Sequence, residues 1–337
     1  MRQAMMRIAA ILVGVMTLTT AGGAMALDEV SFGTNWLAEA EHGGFYQALA
    51  DGTYEKYGLK VTIVQGGPQA ANRALMLAGK TQFYMAGNLL KSFSAAQEGV
   101  PVVEIAAIFQ KEPQVLIAHP ESGIDTLADF AKVPAIFMGR DGFASYFQWM
   151  KSVFPGFRDE QYKPYTFNSA PFLADKKSAQ QGYISSDPFE IERQAGFKPK
   201  VFLLADYGFS TYSTMIETTR DYLARNPDIA KRFVEASIIG WYNYLYGDNS
   251  AANALIKKDN PEMTDEQIAF SVKAMKEHGI VDSGETLQKG IGCMTPDRIR
   301  SFYDAMVKAG VVKADLDISQ IYSTAFVCQG LGVELRK

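Results

Sequence analysis

The chain has 337 residues, with 33 Lys+Arg, 37 Asp+Glu, three His and a formal charge of −4; 47% of residues are hydrophobic. That length and apolar content provide for one large domain or two lobes of ordinary size, each with its own core. A mildly acidic chain without a basic block is a poor partner for nucleic acid or anionic membrane surfaces.

The first residues, "MRQAMMRIAAILVGVMTLTTAGGAMA", place Arg2 and Arg7 before an apolar stretch, Ile8–Leu18, and end on Ala24-Met25-Ala26. A basic flank, a short apolar core and a small-x-small site predict a cleaved secretory signal over 1–26. The mature chain then starts at Leu27, and its charge falls to −6 because the signal carries two Arg and no acid. A soluble, exported, periplasmic product is expected. In that oxidising compartment Cys293 and Cys328 are open to two readings, one disulfide or two buried thiols.

From Val30 onward strand-like and helix-like segments alternate. "VSFGTN" reads as a strand, Gly44–Asp51 as a helix, "LKVTIVQGG" as a strand and Gln69–Ala78 as a helix stopped by Gly79. "TQFYMAG", the helix Leu89–Glu98, "VVEIAAIF" and "PQVLIAH" follow. A second run comprises "PAIFMGR", a helix from Gly142 to Lys151, "YKPYTFN", a helix over Pro171–Gln181, "QGYISSDP" and "KVFLLADYG". Such β-α-β alternation predicts mostly parallel sheets with helices on their faces. After Met215 the chain reads as helical: Asn226-Pro227, Thr264 with Gln267, and Thr295-Pro296 each mark a helix start. Joins at "LIAHPES" and "LLADYGFSTYS" divide the mature chain into lobe 1 (27–118 and 209–337) and lobe 2 (119–208).

In open α/β sheets ligands bind beyond the carboxyl ends of strands. That rule selects the junctions Asn35–Phe45, Gln65–Gln69, Ala86–Leu90, Gly139–Tyr146 and Ser185–Phe189. The first, within "TNWLAEAEHGGFYQALADG", concentrates Trp36, Glu39, Glu41, His42, Phe45 and Tyr46. Trp36, Tyr46, Phe143, Tyr146 and Tyr183 supply flat faces; Glu41, His42, Asn88, Ser185 and Asp187 supply polar heads; Gly67 and Gly142 let backbone come close. Stacking plus a few placed polar groups suits a planar heterocycle. Phe45, Tyr183 and Phe189 are equally explained as core, and Glu39 as solvated surface. No G-x-S-x-G elbow, Walker lysine, third Rossmann glycine, H-x-x-x-H or C-x-x-C is present, so neither a cofactor nor a metal is expected.

The order strand, N-W, acidic stretch with His, aromatic helix, then "GTYEKYGLKV", resembles the solute-binding proteins of bacterial ABC importers. It is closest in kind to the branch related to the fungal thiamine-pyrimidine synthase and to periplasmic binders of thiamine pyrimidine precursors. "GLKVTIVQGGPQAANRALMLAGKTQFYMAGN", "DGFASYFQW", "QQGYISSDPFEIE" and "LLADYG" continue the likeness over nearly the whole mature chain. The resemblance implies an α/β fold of two lobes with paired crossovers (type II-like), with His42 at the pocket histidine and Trp36 at the stacking position. The cysteine-rich iron-linked motif of the fungal synthase is missing, which argues against an enzyme. The expected function is therefore a monomeric periplasmic binder of a thiamine-pyrimidine-like heterocycle that delivers its small-molecule ligand to an ABC permease. Binding of a sulfonate, nitrate or flavin, or an exported enzyme using His42 as base with Glu41 as its orienter, is the alternative.

Overall fold

A computed structural model describes residues 26–67 and 69–336; the expected signal segment, apart from Ala26, lies outside them. Ten strands form two five-stranded sheets. The first contains β1 (Asp28–Gly33), β2 (Leu59–Val64), β3 (Phe83–Asn88), β4 (Val102–Phe109) and β10 (Ser213–Thr219), in the order β2-β1-β3-β10-β4. The second contains β5 (Gln114–Ala118), β6 (Ile136–Met138), β7 (Tyr162–Pro164), β8 (Ala179–Tyr183) and β9 (Lys200–Leu203), in the order β7-β6-β8-β5-β9. Each sheet thus repeats one pattern, with a single antiparallel strand in the fourth place: β10 against β3 and β4, β5 against β8 and β9. Each of these two strands is the one the chain enters on arriving from the other sheet.

Four expectations change. The lobe boundary drawn at 118 puts β5 in the first lobe, yet β5 pairs with β8 and β9 of the second sheet. The crossovers therefore span 110–113 and 204–212. The helix expected over Pro171–Gln181 is only Ala170–Ala174, after which Ala179–Tyr183 extends into β8. The helical region expected after Met215 begins only at Arg220, because "STMIETT" forms β10, whose β-branched Thr214, Ile216, Thr218 and Thr219 suit a strand. The sheets are mixed, not mostly parallel.

The core explains why these segments fold as they do. β4 and β5 are buried along their whole length, as their mainly apolar runs require; Glu104, the one acid within β4, accepts a hydrogen bond from the Ser92 hydroxyl. The helix Pro227–Tyr246 lays Phe233 and Trp241 over the first sheet; Phe233 stacks on Phe83 at 4.3 Å and on Tyr54 at 5.5 Å. This helix meets the helix Gly43–Ala50 at very short range. A Cβ on Gly44 would fall 2.1 Å from Trp241, and one on Gly240 would fall 2.3 Å from the Gly44 carbonyl oxygen. The Gly43-Gly44 pair therefore serves helix packing. A Cys293–Cys328 disulfide ties the C-terminal region together.

Candidate functional site

The polar groups singled out in the sequence converge where the two sheets face each other. On the first lobe, β1 ends in a loop whose backbone is pinned without the Trp36 indole. Thr34 Oγ1 donates to the Trp36 carbonyl at 2.8 Å, Gly66 N–H donates to the same carbonyl at 3.0 Å, and Asn72 Nδ2 donates to the Thr34 carbonyl at 2.9 Å. Gly66 has no room for a side chain here, since a Cβ would sit 2.4 Å from the Thr34 oxygen. The loop then enters the turn Ala40–His42, where Glu41 and His42 are buried.

On the second lobe, the helical stretch 140–153 contains a π-helical turn at Phe143–Phe147, a local widening that recurs at functional sites. Gln181 Oε1 accepts from Gly139 N–H at 2.7 Å and from the Tyr146 hydroxyl at 2.8 Å, fixing that stretch to β8. Asp187 Oδ2 accepts from Tyr183 N–H at 2.8 Å, and Gly182 makes the approach possible, since a Cβ there would lie 2.7 Å from Asp187 Cβ.

Contacts between the lobes close over this space. The Ser185 hydroxyl donates to Glu41 Oε1, and the Ser271 hydroxyl donates to the Ser185 carbonyl at 2.7 Å. Trp36 packs against Phe167 with ring centroids 5.1 Å apart, and Phe189 against Phe270 at 5.4 Å. Lys91 pairs with Asp141 at 2.6 Å. Glu112, in the first crossover, accepts from the Tyr183 hydroxyl at 3.4 Å.

The electrostatics have one sign. Glu39, Glu41, Glu112 and Asp187 meet here, and none forms an ion pair with Lys or Arg among the described residues. Burial raises the affinity of all four carboxyls for protons, and the mutual repulsion of Glu41, Asp187 and Glu39 adds to it; Asp187 is pushed up to about 6. Burial also pushes His42 down to about 3, so it is neutral at neutral pH, and its Nδ1 is buried with no hydrogen-bond partner. Glu112 Oε2 is likewise buried and unpartnered. The site therefore presents acceptors and weak acids, with aromatic walls.

Trp36, Glu41, His42, Tyr146, Tyr183, Ser185 and Asp187 all lie in or beside this cluster. Asn88 caps the helix Leu89–Gln97, accepting from Leu90 N–H at 3.1 Å, three residues before the Lys91 contact. Gly67 follows β2 in a left-handed conformation beside Leu37, and Gly142 leaves space for the Tyr146 hydroxyl, which a Cβ would approach to 2.3 Å. Two residues face elsewhere. Tyr46 is buried within the first lobe and donates to Asp259 Oδ2 at 2.8 Å, and Phe143 stacks on Tyr162 at 4.3 Å inside the second lobe. Glu39, read as solvated surface or cleft alike, belongs to the acid cluster. Glu112, Phe167, Gln181 and Tyr165, whose hydroxyl donates to Asp187 Oδ1 at 3.4 Å, were not singled out by the sequence. Glu112 carried one usable signal, a carboxylate set between two largely apolar strands.

Residues 39–251 match the NMT1/THI5 like family. The chain belongs to that family. A relative within reach is the riboflavin-binding protein RibY of Chloroflexus aurantiacus, 22% identical over 311 residues, 90% of this chain and 87% of that protein. Among solved structures, the periplasmic aliphatic sulphonate binding protein SsuA of Escherichia coli superposes with a TM-score of 0.61 at 15% identity, over 88% of this chain and 93% of that one. The desulfurization enzyme DSZB superposes with a TM-score of 0.58 at 12% identity, over 89% and 97%. The two-lobe α/β architecture expected of the family is thus the periplasmic-binding-protein fold, and that fold houses both binders and an enzyme. No helix among the described residues is long and apolar enough to cross a membrane.

Proposed function

We propose that this protein is the exported, periplasmic solute-binding component of an ABC importer, which closes its two lobes on a small planar heterocycle rich in N–H donors and presents it to a membrane permease. The observation that carries the ligand class is a set of four carboxyls without a Lys or Arg partner, Glu41 and Glu112 buried and Glu39 and Asp187 half-buried. An unpaired buried carboxylate is costly, and a ligand bringing N–H groups or a positive charge relieves that cost. A sulfonate or nitrate would meet the same carboxyls as repulsion. Trp36 and Phe167 supply the flat faces. An aminopyrimidine of the thiamine-precursor type fits this description, and a flavin, as named for RibY, shares the planar ring with an N–H edge. An enzyme using His42 as base is disfavoured, because an imidazole held near 3 is too weak an acceptor for general-base work at neutral pH.

The test is native mass spectrometry of the protein as purified, followed by calorimetric titration with an aminopyrimidine, riboflavin and methanesulfonate, and recovery of the ligand afterwards. Tight binding of a heterocycle returned unchanged is expected. Tighter binding of methanesulfonate would overturn the ligand class, and chemical turnover would overturn the binder.

A further inference from the structure

A second cavity, of about 580 Å³, lies in the second lobe at the end of the sheet opposite the cleft. It forms where β5 ends and where β6, β8 and β9 begin, whereas the candidate cleft lies where β5 begins and β6 and β8 end. Its volume falls within the range of small-molecule sites. Phe197 and Pro134 give it apolar lining, and Lys132, Lys176 and Lys177 line it with positive charge, in a chain whose total charge is −4. Lys132 pairs with Asp129 at 2.7 Å, while Lys176 and Lys177 form no ion pair among the described residues. Glu121 is the one acid of the lining.

His119 also lines this cavity and is only 4% exposed. Its ring is held between Phe172 at 4.3 Å and Phe197 at 5.1 Å, and its Nε2 lies 2.8 Å from the Phe172 carbonyl oxygen. A carbonyl accepts only, so Nε2 carries the proton and Nδ1 is left as a lone-pair acceptor. No residue among those described hydrogen-bonds to that Nδ1. Solvated surface explains Lys176 and Lys177 taken alone. It does not explain a buried histidine, oriented by two aromatic rings, beside a cavity of ligand size.

We propose that this cavity is a second ligand site, independent of the cleft, for a small organic anion with a flat apolar body and a hydroxyl or N–H donor. The anion meets Lys176 and Lys177, the body lies against Phe197 and Pro134, and the donor meets His119 Nδ1. The probe is 4-hydroxybenzoate, titrated into the full chain by calorimetry and by NMR at low ionic strength, with 4-hydroxybenzyl alcohol as the uncharged control. Saturable binding with shifts at Gly123 and Phe197 is expected, with 4-hydroxybenzyl alcohol binding far more weakly. The double variant Lys176→Glu/Lys177→Glu, at two exposed positions, is expected to bind the probe roughly tenfold more weakly. Trp36→Ala is expected to bind it as the parent does. Absence of saturable binding, equal binding by the double variant, or loss of binding in Trp36→Ala would each overturn the site. The last outcome would place the probe in the cleft, so it bears on the ligand class proposed there without touching the fold.

Discussion

Replacing Trp36 by Ala separates a ligand platform from a core residue. The loop around Trp36 is held through its backbone carbonyl by Thr34 and Gly66, and neither bond involves the indole. The ring is half-buried, and the aromatic partner it has is Phe167 of the other lobe, at 5.1 Å. Losing one such pair costs about 0.5–1.5 kcal/mol, so the variant should unfold only slightly below the parent. Trp241 is fully buried against Phe45, Phe109 and Tyr244, and its truncation should cost about 3–5 kcal/mol. For ligand, stacking on an aromatic face is worth about 1–3 kcal/mol, so the Kd should rise roughly 5- to 150-fold. Thermal melts of Trp36→Ala and Trp241→Ala, alongside calorimetric titration of the Trp36 variant with its heterocycle, read both quantities. A Trp36 variant that binds normally but melts as low as the Trp241 variant would refute the assignment of this ring to the cleft.

Glu41→Gln keeps the shape and the acceptor for the Ser185 hydroxyl but removes the charge; it should weaken an N–H-rich or cationic ligand and spare or favour an anion, read by comparative titration. Asp187 is pushed up to about 6 from a usual value near 3.8. The folded chain holds that proton more tightly than the unfolded chain, so its contribution makes the ligand-free protein more stable as pH falls through about 6 towards about 4, and Asp187→Asn should flatten the slope of melting temperature over that window. The Cys293–Cys328 bridge spans 35 residues, and its loss in Cys293→Ser/Cys328→Ser should cost about 4 kcal/mol by chain entropy, seen in denaturant unfolding. With two crossovers as hinge, ligand should lower the radius of gyration in small-angle scattering; Lys91→Ala, which removes an exposed pair between the lobes, should shift affinity by no more than about fivefold, less at high salt.

Much of the architecture was legible because punctuation and periodicity agreed. Gly79, Gly279 and Gly310 each follow a helix, and "VVEIAAIF" is a strand from its first residue to its last. What failed was long-range. Nothing local says that β5, which follows β4 after only the crossover 110–113, pairs with strands more than sixty residues later. β10 was hidden by Thr-rich polarity, since its surroundings are supplied by β3 and β4 and not by its own sequence. The grouping of the candidate residues was legible where side chains cluster along the chain, as at Trp36–His42 and Ser185–Asp187. It was illegible where the partner comes from elsewhere: Tyr46 is turned to Asp259 by a helix far downstream, and Glu112 meets Tyr183 only because a crossover brings them together.

The exchange of strands between the sheets also sets an order of assembly. All five strands of the second sheet lie within one continuous stretch, 114–203, whereas the first sheet waits for β10 before β3 and β4 can be joined. During synthesis from the N-terminus β4, eight consecutive buried residues rich in Val and Ile, is therefore left with an open edge until residue 219 has emerged. An unpaired, apolar edge of that length is a template for association with other chains. A chain stopped before Ser213 should accordingly aggregate although its second lobe is complete, while in the full chain β10 pairs one edge of β4 and the bridges Ala107–Gly292 and Glu104–Tyr322 cover its outer edge at the end of the sheet.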